Sequence, residues 1–121
     1  MKILAAGDIH GDGHLSERLA ERAKKENVDL VILTGDLTFL ENSVKNIIGP
    51  FERAKKKVLI IPGNHETIAT IDFFTQVYSD THNLNGYSIK IGDVGIFGAG
   101  GATTGPFTRL SESDLYKLLK K

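Results

Sequence analysis

Three short apolar segments of this chain end in glycine followed by a side chain able to bind a cation: Gly7-Asp8-Ile9-His10, Gly35-Asp36 and Gly63-Asn64-His65-Glu66. Asp8, Asp36 and Asn64 follow one another at equal intervals of 28 residues. Two carboxylates, an amide oxygen and an imidazole suit a hard to borderline divalent ion such as Mn²⁺, Fe²⁺, Zn²⁺ or Mg²⁺. Taken singly, Gly-Asp after an apolar run is ordinarily a turn or a helix cap. Three in phase, two of them adding a histidine, point to a metal site instead. Such a site forms only if all three motifs reach one edge of the fold.

The intervening segments supply that positioning. Residues 2–6 and Asp29–Leu33 read as buried strands, the second with almost no polar alternation, as in a sheet covered on both faces. Between them, Leu15, Leu19, Ala20 and Ala23 recur at helical spacing over residues 14–27. Residues 41–56 read as an interrupted helix, one piece ending at Gly49-Pro50 and the next carrying Pro50 in its first turn. Lys57–Ile61 is a third strand and residues 67–76 a short helix. This β-α-β-α-β order predicts an α/β fold with parallel strands and right-handed crossovers. Its strand carboxyl ends share one edge, where ligands bind in open α/β sheets.

The pattern then changes. Tyr87–Ile91 alternates, Gly92-Asp93 makes a two-residue turn and Val94–Phe97 returns, which predicts a β-hairpin. The glycine-rich run from Gly98 to Gly105 is either a mobile loop over the cleft or a plain connection. It lacks the lysine of a P-loop and the third glycine of a dinucleotide fingerprint. Ser111 and Asp114 are spaced as a capping box for a last helix striped by Leu115, Leu118 and Leu119.

With 121 residues, 40% of them hydrophobic, the chain has enough apolar material for one domain with a core. Fifteen basic residues balance fifteen acidic ones, so no global field attracts nucleic acid. There is no cysteine, which excludes disulfides, thiolate zinc sites and a cysteine nucleophile, and fits a reducing, cytoplasmic setting. No apolar run approaches the ~20 residues of a membrane span, and no signal peptide is visible.

Asp-x-His, Gly-Asp and Gly-Asn-His-Glu, in that order, resemble the first half of the signature of the calcineurin-like metallophosphoesterases. The resemblance implies a layered α-β-β-α sandwich, of which this length supplies the first sheet and the start of a second. It also implies that Asp8 and His10 bind one ion, that Asp36 bridges two, and that Asn64 binds the second through its side-chain oxygen. Up to two divalent ions (Mn, Fe, Zn, Mg or Ni, with Mn foremost) would then activate water as hydroxide to attack a phosphomonoester or phosphodiester. His65 would be the general acid or transition-state stabiliser, oriented by Glu66, where most members carry aspartate. The expected substrate is a small-molecule or nucleotide phosphoester.

The chain also departs from that family. No Gly-His-x-His pair exists, and His82 is the one histidine after the third motif. The second ion would keep Asp36 and Asn64 alone and be weakly held. Together with an end at Lys121 inside an expected helix, this suggests the amino-terminal part of a longer phosphoesterase domain. A catalytically incomplete scaffold and a metal-binding interaction module are the alternatives, and an incomplete second sheet would favour homo-oligomers. His82 reads as a loop or strand-end residue or a substitute ligand, His14 as a helix-start residue, and Asp12 as a helix cap. Lys55–Lys57 is a solvated helix end or a phosphate-steering patch. Phe39, three residues past Asp36, joins the core or floors the substrate cleft.

Overall fold

A computed structural model describes residues 1–42 and 44–121. Four parallel strands, β1 (Ile3–Ala6), β2 (Leu30–Leu33), β3 (Val58–Ile60) and β4 (Thr81–Asn83), lie side by side in sequence order. The crossovers carry α1 (Gly13–Lys25), α2 (Gly49–Arg53) and α3 (Ile68–Val77). In register, Ala6 lies beside Leu33 and Leu33 beside Ile60. The first three strands therefore end level, and the three motifs leave the sheet from the same edge.

Alternation along the strands divides the core in two. Val31, Leu33, Val58 and Ile60 face the helices and pack with Ala20 and Ala23 of α1, Phe51 of α2, and Ile71 and Phe74 of α3. Leu30 and Leu59 point the other way, where Leu84 and the isoleucines Ile89, Ile91 and Ile96 cover them. The last three belong to the antiparallel hairpin of β5 (Ser88–Ile91) and β6 (Val94–Phe97). Both faces of β2 and β3 are thus apolar, which is why neither strand alternates in sequence. On β1, by contrast, Ile3 remains exposed.

α4 (Glu112–Leu119) starts with the expected capping box between Ser111 and Asp114. Hydrogen bonds from the Ser111 amide and hydroxyl hold the Asp114 carboxyl below its ordinary value. α2 has the expected proline in its first turn. The helical piece expected over residues 41–48 does not form: its described residues are turns, bends and a bridge between Phe39 and Asn42, and Ser43 lies outside the described residues. β4 corrects the reading of His82, which lies within a strand beside Leu59. Among the described residues, no helix is long and apolar enough to cross a membrane.

Candidate metal centre

Beyond the last ladder residues, the backbone of the first two motifs remains paired. Asp8 N–H donates to Gly35 O at 3.1 Å, His10 N–H to Asp36 O at 2.8 Å and Gly11 N–H to Leu37 O at 2.8 Å. Asp8, His10 and Asp36 all sit at positive φ, +55°, +50° and +50°. Left-handed backbone is costly for residues with a Cβ and persists where the surroundings over-determine it, commonly at functional sites. Two glycines make the convergence possible. Gly35 has φ +100°, and a Cβ there would lie 2.7 Å from Gly63 N. A Cβ on Gly63 would run into the Asp36 carboxylate.

One ligand atom each from His10, Asp36 and His65 lie within 4.8 Å of one another. Asp36 is fixed by two amides: Asn64 N–H and His65 N–H donate to its Oδ1 at 2.9 and 3.1 Å. Its Oδ2 takes no protein hydrogen bond among the described residues. Asp8 stands at the rim, largely exposed, with Oδ1 3.5 Å from His10 Nε2. Asn64 is oriented from the far side, its Nδ2 donating to Thr104 O at 3.2 Å. That bond leaves Oδ1 as the free acceptor of the amide.

These donors fit a divalent cation. Asp36 and Asn64 each offer an uncommitted oxygen, and the His10 imidazole has the Asp8 and Asp36 carboxylates beside it. The third member of the cluster differs in kind. Leu40 N–H donates to His65 Nδ1 at 3.3 Å, so in the neutral ring the proton sits on Nε2. In that tautomer His65 presents a hydrogen-bond donor, while its ring also lies close enough to His10 and Asp36 to join a metal site.

Glu66 is placed differently from the expectation. It is fully buried, and its carboxylate accepts from Gly63 N–H at 2.9 Å, Leu37 N–H at 3.4 Å, Thr38 N–H at 3.5 Å and Thr38 Oγ1 at 3.3 Å. None of its bonds reaches the His65 ring. It clamps the loop after β2 to the loop after β3. The orienting contact on His65 comes instead from the Leu40 amide, which no side-chain motif announces.

Glu41 is a second anchor missed in the sequence. Its Oε1 accepts from Thr67 Oγ1 at 2.5 Å, Thr67 N–H at 2.8 Å and Thr70 Oγ1 at 2.7 Å, tying residues 38–42 to the start of α3. The Thr67 hydroxyl, then the Thr70 hydroxyl, hold its carboxyl below the usual 4.5. A folded-state pKa below the unfolded one gives stability that is full above the unfolded value and lost as pH falls through the folded value. The melting temperature of the wild type should therefore exceed that of Glu41→Gln at pH 7, and the gap should narrow as the pH falls below the usual glutamate range. A gap independent of pH would remove the charge from the explanation.

The glycine-rich segment is a packed wall. Gly101 N–H donates to Pro62 O at 2.7 Å, and a Cβ on Gly105 would lie 2.5 Å from Asn64 Nδ2. Asp12 caps α1 through Leu15 N–H at 3.0 Å. His14 is exposed in the first turn, paired with Glu17. His82 pairs with Asp80 at 3.6 Å, and Asp80 precedes β4, at the amino end of the strand and away from the motif edge.

Comparison with known proteins bears on the fold and the family. No curated protein matches the chain. TT1561 of Thermus thermophilus is a structural match at a TM-score of 0.73 and 17% identity, over 98% of this chain and 61% of that one. A second solved structure matches at a TM-score of 0.74 and 12% identity, over 98% and 62%. At such identities the likeness shows the fold, and this chain spans about three-fifths of either structure's length. The family model for calcineurin-like phosphoesterases matches residues 1–120. With that match, and with the three motifs on one sheet edge, the chain belongs to the calcineurin-like phosphoesterase family.

Proposed function

We propose that this protein hydrolyses phosphomonoesters or phosphodiesters at the edge formed by Asp8, His10, Asp36, Asn64 and His65. The observation that carries the reading is the cluster itself: His10, Asp36 and His65 each bring one ligand atom within 4.8 Å of the others, and of the three side chains it is His65 whose Nδ1 accepts from the Leu40 amide. Divalent ions, Mn²⁺ foremost, would supply charge neutralisation on phosphate oxygens and a lowered pKa for attacking water. Asp8, His10, Asp36 and Asn64 would hold them, Asp36 and Asn64 serving the second ion.

The remaining chemistry belongs to His65. Its Nδ1 is held by the Leu40 amide and its main-chain N–H by Asp36, which leaves Nε2 as the nitrogen to donate. A donor fixed at both ends can hydrogen-bond the departing oxygen without first reorganising, and positioned proton donors contribute about 10²–10⁴-fold. His65→Ala should therefore lose at least about a hundredfold in turnover, with Mn²⁺, of phenyl phosphate or of methyl phenyl phosphate, whose departing oxygen is basic enough to need the proton. Its Mn²⁺ affinity, measured by titration calorimetry, should be unchanged. Lost metal binding would make His65 a ligand and overturn its assignment. One bound ion with no turnover by the wild type would replace the enzyme reading with a metal-binding interaction module.

A further inference from the structure

We propose that Phe39 is a stacking platform that selects phosphoesters whose leaving group carries a planar aromatic ring. The inference rests on the phosphoesterase reading and names the substrate class of that site. Phe39 is 53% exposed, yet its ring centroid is 5.2 Å from that of His65 and 6.2 Å from that of His10. A large apolar ring in solvent contributes nothing to metal binding and nothing to the core. Its place beside the proton donor puts it on the leaving-group side of the centre.

The ring is also held there at a cost. Asn42 N–H donates to Phe39 O at 2.9 Å, closing a turn whose two central residues, Leu40 and Glu41, have φ of +51° and +65°. Turns left-handed at both central positions favour Asn-Gly, not leucine and glutamate. The surroundings enforce this one: Leu40 N–H bonds the His65 ring, Glu41 N–H bonds His65 O at 3.0 Å, and the Glu41 carboxylate bonds Thr67 and Thr70. Phe39 and His65 are thus carried on one braced unit, so the ring keeps a fixed offset from the reacting end of the substrate. An alkyl leaving group gains little from a flat face, whereas an aromatic ring gains offset stacking.

Non-hydrolysable phosphonates test the proposal by binding, with Mn²⁺ present. One pair is phenylphosphonate against methylphosphonate. The other is adenosine 5′-methylenephosphonate against its ribose counterpart, which places the ring one sugar farther from phosphorus. In at least one pair, wild type should bind the aromatic compound about tenfold more tightly. The preference should vanish in Phe39→Leu and return in Phe39→Tyr, with melting temperatures unchanged because the side chain is exposed. The pair that shows it separates an aryl ester from a nucleotide. Equal affinities within both pairs, or a preference that survives Phe39→Leu, would overturn the proposal while leaving the phosphoester site standing. Failure of all four compounds to bind would overturn the phosphoesterase reading and this inference with it.

Discussion

Asp36→Asn is expected to abolish Mn²⁺ binding and hydrolysis together while leaving the fold in place. The substitution is chosen for what it preserves. Asn keeps an oxygen at Oδ1 to accept the Asn64 and His65 amides, and it tolerates the left-handed backbone at this position, φ +50°. What it removes is the negative charge and the acceptor character of Oδ2, the atom with no protein hydrogen bond among the described residues. Loss of the charge-assisted part of two hydrogen bonds should cost about 1 kcal/mol, a fall of a few degrees in melting temperature. Loss of the carboxylate proposed to hold both ions should cost several kcal/mol of transition-state stabilisation, at least about a thousandfold in rate. Calorimetry with Mn²⁺, a melting curve and a chromogenic ester separate these effects. Global unfolding of the variant would make Asp36 a structural cap, and undiminished Mn²⁺ affinity would take it out of the ligand set.

The convergence on Asp36 was legible because it follows from topology. Equal spacing between motifs implies equal crossovers, and equal right-handed crossovers of parallel strands leave the motifs level on one edge. What the sequence could not convey was which polar atoms were already engaged. Glu66 adjoins His65 in sequence, yet its carboxylate turns beneath the site to backbone amides. The donor that fixes the His65 ring is a main-chain N–H, identical in every residue type but proline and so invisible to motif reasoning. The contact of Thr104 with Asn64 spans 40 residues and depends on how the hairpin lies against the sheet.

The fold shows the same division. Strands buried on both faces appear as apolar runs, and a helix with one buried face appears as a periodic stripe, so β1 to β3 and α1 were readable. β4 was not, because Thr81-His82-Asn83 is a polar edge strand of three residues with no alternation to detect. The absent helix over residues 41–48 has a tertiary cause. Its first residues are drawn into the turn that braces His65, and Ile47 and Ile48 are buried in the helix-side core without a helix of their own. Local periodicity yielded to contacts made across the sheet edge.

The brace beneath that edge should be the most sensitive point for stability. Glu66→Ala would leave the amides of Gly63, Leu37 and Thr38 without their acceptor, while the Thr38 hydroxyl could turn to His65 O at 3.4 Å. A buried donor left unsatisfied costs about 1–3 kcal/mol. Even if relaxation rescues one of the three, the loss should be about 3 kcal/mol, roughly 10 °C in melting temperature. Glu66→Gln sharpens the argument, since it matches the volume but turns one acceptor into a donor. Because Oε1 faces Gly63 and Leu37 while Oε2 faces Thr38, either orientation of the amide sets an NH₂ against at least one N–H donor. It should therefore lose nearly as much as the alanine variant. Glu66→Asp keeps both oxygens but is one methylene short of bridging both loops, and should fall between. A glutamine variant as stable as wild type would show that a single oxygen suffices, and the two-loop clamp would have to be abandoned.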